Sequence, residues 1–139
     1  MTDKTVNALS VLLADSYMLY LKTQNFHWNV AGPNFRSLHL LFEEQYTDLA
    51  AAIDEIAERI KSLGAKAPGS FSKYSSLTTI SEADENLSSN EMVKSLSEDQ
   101  AKIAKTLKNL FEAASEAGDE VSIGMAVDRM TVHEKNKWM

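Results

Sequence analysis

Four side chains on one helical stretch have the types and spacing to hold a metal ion. The run from Asn34 to Leu63 has no internal glycine or proline and places apolar residues at Leu38, Phe42, Leu49, Ala52, Ile56, Ile60 and Leu63, intervals that predict one long amphipathic helix ended by Gly64. With Leu38 at zero and an advance of about 100° per residue, the apolar positions lie within roughly 60° of zero, while His39, Glu43, Asp54 and Glu58 lie between roughly 100° and 200°. Glu44, Asp48, Glu55 and Arg59 fill a third sector that reads as solvated surface. Imidazole and carboxylate are the ligands of iron, manganese or zinc, and the absence of cysteine removes thiolate sites and disulfides.

Axial spacing constrains how such a site closes. His39 and Glu43 are i, i+4 neighbours, as are Asp54 and Glu58, so each pair can share an ion. The eleven residues from Glu43 to Asp54 put the pairs about 16 Å apart at about 1.5 Å per residue, too far for one chain to combine them. Two copies of the helix, antiparallel about a two-fold axis, bring His39 and Glu43 of one to Asp54 and Glu58 of the other. Thr47, Ala50 and Ala57 on the same sector leave room for that approach. Either pair alone is common on a helix surface; two on one face, apart from the plainly solvated sector, point to a site shared between subunits.

The elements that position this helix are also helical. Val6, Leu9, Leu13, Tyr17 and Tyr20 predict a first helix over about 5–23, and FHWNVAGPNF then breaks the pattern at Gly32 and Pro33, with Asn34 placed to cap the central helix. His27 precedes that break; a lone His beside Trp28 at a helix end is more often a packed or capping residue than a ligand. A Ser-, Gly- and Pro-containing stretch follows Gly64, with a short helical turn expected near Ile80 to Asp84. Ser88 and Glu91 form a capping box for a third long helix, whose stripe of Met92, Leu96, Ile103, Leu107, Leu110 and Ala114 ends at Gly118. Asp119 or Glu120 opens a last helix through Met125, Val132 and Trp138. The expected fold is all-α, a single domain over residues 1–139: a four-helix bundle with a long crossover between helices two and three, as in ferritin-like proteins.

Composition narrows the function. A formal net charge of -6, with Lys4 the only basic side chain in the first ten residues, counts against DNA binding and favours cations. No apolar run approaches the roughly 18 residues of a membrane span, and MTDKTVNALS is not a secretory signal, so a cytoplasmic protein is expected.

The residues NFHWNVAGPNFRSLHLLFEEQYTDL, joined to AAIDEIAERIKSLG, with later echoes in GDEVS at Gly118 and HEKNKWM at the end, resemble the Dps family of ferritin-like iron-sequestering proteins, from about Leu9 to Met139. The resemblance implies ferroxidase ligands at His27, His39 and Glu43, with Asp54 and Glu58 supplied by the two-fold partner. It implies oxidation of Fe(II), preferentially by hydrogen peroxide, with ferric oxide stored in a hollow dodecamer that protects against oxidative stress. Trp28 resembles the family tryptophan that takes up stray oxidising equivalents, packing being the alternative. Glu43 stands where many relatives have Asp. Acidic three-fold pores in the family make Asp119, Glu120 and Asp128 candidate pore residues, although Gly124 stands where relatives often have Asp and Asp119 equally suits a helix cap. Relatives usually continue past the residues matching Trp138 and Met139, which implies a missing tail. The competing expectations are a DNA-compacting protein with an incidental metal site and a purely structural bundle.

Overall fold

The computed structural model describes residues 2–139. The chain forms α1 (Thr2–Asn29), α2 (Phe35–Ser62), α3 (Phe71–Leu77), α4 (Ser89–Ala117) and α5 (Glu120–Trp138), without strands among the described residues. The four long helices are the expected ones. The first runs further than its apolar pattern indicates, because nothing in FHWN breaks a helix before Gly32; Val30 N–H still bonds Phe26 O at 2.9 Å.

Two polar ladders fix the directions of the helices. Lys22 meets Asp99 and Asp15 meets Thr106, so as α1 descends α4 ascends, and the two are antiparallel. Arg59 meets Asp119 and Asp48 meets Arg129, so α2 and α5 are antiparallel as well. The short turn after Asn29 makes α2 antiparallel to α1, which leaves α2 and α4 parallel and requires the long crossover between them. The core holds Leu9, Leu13, Leu19, Phe26, Phe42, Leu49, Ile56, Ile60, Ile103, Leu107 and Leu110, all at most 1% exposed. Phe26 and Phe42 cross between α1 and α2 with ring centres 6.4 Å apart. Met92 is core filling, as its stripe indicates.

Helix ends follow their capping chemistry with one exception. Ser88 and Glu91 make the reciprocal capping box: Glu91 N–H donates to Ser88 Oγ at 3.3 Å and Ser88 N–H to Glu91 Oε1 at 2.9 Å. Gly64 and Gly118 take the left-handed conformations that terminate α2 and α4, at φ 88° and 69°. Asn34 occupies the N-cap of α2, but its side chain makes no capping bond; Pro33 and Gly32 already fold the turn, where Phe35 N–H reaches Gly32 O at 3.1 Å.

The crossover corrects one expectation. Its short helix lies at Phe71–Leu77, capped by Ser70, and no helical turn forms at Ile80 to Asp84. Residues 78–80 are instead tied down by Asp15, a fully buried carboxylate on α1. Thr78 Oγ1, Thr79 N–H, Thr79 Oγ1 and Thr106 Oγ1 all donate to it, at 2.7, 2.6, 2.9 and 2.6 Å. Satisfying both carboxylate oxygens is the condition for burying one, and doing so inserts Ile80 into the core. Lys22 adds a second anchor, ion-paired with buried Asp99 at 2.8 Å and donating to Ser81 O at 3.0 Å.

Candidate metal centre

The extension of α1 to Asn29 brings His27 to the first turns of α2. His27 lies in the last turn of α1 and is 6% exposed; His39 lies one turn into α2. The rings stack with centres 3.7 Å apart and planes 17° from parallel. Each ring donates from Nδ1 to the other residue's backbone carbonyl: His27 Nδ1 to His39 O at 2.6 Å and His39 Nδ1 to His27 O at 2.7 Å. A carbonyl oxygen can only accept, so the proton sits on Nδ1 of both rings and each Nε2 of the neutral ring keeps a lone pair for a metal.

Glu43, one turn beyond His39, completes the group. Its Oε1 lies 3.8 Å from His27 Nε2, and one ligand atom from each of His27, His39 and Glu43 falls within 4.8 Å of the others. Two imidazoles and a carboxylate at that separation could hold a single ion, with Glu43 on the exposed side. Phe35 stacks on His39 at 5.0 Å and Tyr46 meets His27 edge-on at 5.2 Å, so aromatic rings hold both imidazoles from outside. Neither ring was among the residues expected at the site, although Phe35 stands four residues before His39 and Tyr46 seven after it, both at helical spacing.

Asp54 and Glu58 do not join this group within the chain. Both are exposed further along α2. Hydrogen bonding to Asp54, and then that neighbour's negative charge, raise the Glu58 carboxyl above its ordinary value. Trp28 is 60% exposed at the end of α1.

The sector of α2 expected to be plain surface is partly a helix contact. Asp48 pairs with Arg129 at 3.0 Å and Arg59 with Asp119 at 2.7 Å, joining α2 to α5. A charge facing solvent and one facing an oppositely charged helix have the same helical angle, so periodicity cannot separate them. Asp119 is the N-cap of α5: its carboxylate accepts from Ser122 N–H at 3.1 Å and Ser122 Oγ at 2.6 Å as well as from Arg59. Burial pulls its carboxyl upward, but the bonds from Ser122 and Arg59 prevail and hold it below the usual value. Glu120 and Asp128 are exposed on α5.

The chain matches a known class: residues 6–139 fit the family described as the ferritin-like domain. A Dps protein from Staphylococcus aureus superposes with a TM-score of 0.94 at 39% identity, over 97% of this chain and 91% of that one. The Dps protein from Vibrio cholerae O1, described as a member of a broad superfamily of ferritin-like diiron-carboxylate proteins, gives 0.95 at 36% identity, over 99% and 87%. DNA protection during starvation protein 2 of Bacillus anthracis is 36% identical over 139 residues, 100% of this chain and 95% of its own length. The chain belongs to the Dps family of ferritin-like proteins.

Proposed function

We propose that this chain is a ferroxidase subunit of an iron-storing cage, which binds Fe(II) between two-fold-related copies and oxidises it with hydrogen peroxide. The observation that carries the reading is the reciprocal pair of Nδ1–carbonyl bonds, which leaves His27 and His39 presenting Nε2 atoms beside Glu43. Asp54 and Glu58 of the partner subunit supply the remaining carboxylates. Two carboxyls that crowd each other in the isolated chain, raising Glu58, are relieved when a cation lies between them.

The residue types suit the reaction. Imidazole nitrogen takes Fe(II), and the hard anionic oxygens of Glu43, Asp54 and Glu58 favour the ferric product. Two ferrous ions give one electron each to one peroxide, whose O–O bond breaks; with two further waters the products are two ferric oxyhydroxide units and four protons. Pairing the electrons avoids hydroxyl radical, and the solid accumulates inside a shell of twelve subunits. Glu120 and Asp128, with Asp119 already committed to its cap, would line the iron entrance around the three-fold axes. The assembly acts in the cytoplasm.

A relative named for DNA protection raises the alternative of direct DNA binding. A net charge of -6 opposes it, so protection here works by removing iron and peroxide. A gel-shift at low and physiological salt with the intact assembly is expected to show no retarded DNA; salt-sensitive retardation would reinstate the alternative.

The decisive experiment loads the assembly anaerobically with Fe(II), adds peroxide, and follows the near-ultraviolet absorbance of ferric oxide in wild type and in His39→Ala, Asp54→Ala. Fast, soluble oxidation in wild type alone is expected. Equal rates in both proteins, or oxidation yielding only precipitate, would refute the ferroxidase.

A further inference from the structure

The chain contains four tyrosines, and all four stand in one line of ring contacts that begins at the metal ligands. Tyr46 meets His27 edge-on at 5.2 Å; Tyr46 and Tyr20 meet at 5.8 Å; Tyr20 and Tyr17 at 5.8 Å; Tyr17 stacks on Tyr74 at 4.9 Å and 24°. Tyr17, Tyr20 and His27 lie along one face of α1, Tyr46 approaches from α2 and Tyr74 from α3. None of the five phenylalanines enters the line; Phe26 and Phe42 pair separately in the core. All four tyrosines are half-buried, and the ring contacts alone would be met equally by phenylalanine. What tyrosine adds is an accessible one-electron oxidation.

We propose that Tyr46, Tyr20, Tyr17 and Tyr74 form a relay that carries oxidising equivalents away from the iron site to the crossover. The proposal rests on the ferroxidase reading. When a single ferrous ion meets peroxide, the products are a ferric ion, hydroxide and hydroxyl radical. That radical takes a hydrogen atom from the Tyr46 hydroxyl, giving water and a Tyr46 phenoxyl. Tyr20 then returns an electron and a proton to Tyr46 and becomes the phenoxyl in turn, and the same exchange passes the vacancy to Tyr17 and Tyr74. Tunnelling falls exponentially with distance, so three short steps between chemically equal phenols outrun one long transfer. Tyr17 and Tyr74 both line an open cleft of about 340 Å³ together with Lys22, Asn25, Phe71 and Glu82. A soluble thiol reaching that cleft gives its hydrogen atom to the Tyr74 phenoxyl, restoring the hydroxyl that donates to Pro68 O at 2.8 Å, and two thiyl radicals then couple to a disulfide. The relay thereby moves damage away from His27 and His39 to a place where it is repaired.

The assembled protein is loaded anaerobically with Fe(II) and given substoichiometric peroxide in the presence of 2-methyl-2-nitrosopropane. Freeze-quenched electron paramagnetic resonance and peptide mapping then locate the radical and its adducts. In wild type a tyrosyl signal and an adduct on Tyr74 are expected. In Tyr20→Phe, which keeps the ring packing, the Tyr74 adduct is lost and Tyr46 is labelled instead, while ferric absorbance forms at the wild-type rate. Tyr17→Phe is expected to give the same loss at Tyr74, with adducts at Tyr20 and Tyr46. Undiminished Tyr74 adduct in either variant, or no tyrosine labelled in wild type, overturns the relay while normal ferric formation leaves the ferroxidase standing. Absent or His39-independent ferric formation overturns both.

Discussion

His27 and His39 lock each other: each Nδ1 donates to the other's backbone carbonyl, at 2.6 and 2.7 Å, and the rings stack 3.7 Å apart. The bonds join the end of α1 to the start of α2, so the turn that closes the helical hairpin and the arrangement that brings two candidate metal ligands together are the same structure.

Replacing either histidine therefore costs both binding and local stability. His39→Ala removes one ligand, leaves the His27 carbonyl without its donor and unstacks the ring. Anaerobic Fe(II) titration calorimetry is expected to show at least about 10–100-fold weaker binding, and urea unfolding a loss of about 1–2 kcal/mol. Unchanged affinity would mean that Nε2 of His39 is not a ligand.

A shared site predicts complementation between two dead variants. His39→Ala and Asp54→Asn assemblies are each expected to lack fast iron oxidation. In a mixed two-fold pair, one site inherits both changes and the other inherits neither, so unfolding and reassembling the two variants together restores part of the rate. A site built within one chain would gain nothing from mixing.

Asp15 is expected to be the most sensitive polar position in the core. Asp15→Ala leaves four donors from Thr78, Thr79 and Thr106 facing an apolar void and releases the segment that inserts Ile80. A loss of about 3–5 kcal/mol is expected, with early hydrogen exchange across residues 78–80. Exchange that stays slow there would show that the crossover is held by something else.

His133 makes stability depend on pH. It is 1% exposed, donates from Nδ1 to Gln100 Oε1 at 2.6 Å, and accepts at Nε2 from Arg129 at 3.2 Å, so burial, and then the Arg129 charge, lower its pKa to about 3. The folded form thus binds fewer protons than the unfolded form between about pH 3 and the ordinary value near 6.5. Its contribution is complete above about pH 6.5 and is lost as the pH falls, at up to about 1.4 kcal/mol per pH unit. Urea unfolding followed by circular dichroism from pH 4 to 7 is expected to show that slope and to lose it in His133→Gln; the same slope in the variant would assign it to other groups.

What the sequence by itself determined is whatever depends on local period and local capping. The four long helices, the Ser88–Glu91 capping box, the stops at Gly64 and Gly118, the Asp119 cap and the gathering of His39, Glu43, Asp54 and Glu58 on one sector of α2 follow from spacing alone, because neighbours within a few residues set them. Resemblance supplied His27, which lies across a turn that periodicity cannot bridge. Only the tertiary structure decided the rest: that Nδ1 of both histidines is spent on backbone carbonyls, that Asp48 and Arg59 face α5 instead of water, that Asp15 gathers four donors from residues 63 to 91 positions away, and that every tyrosine falls into one line. Each of these joins segments that are far apart in the chain. A helical angle says which way a side chain points on its own axis, but its energy is set by what the neighbouring helix places opposite it.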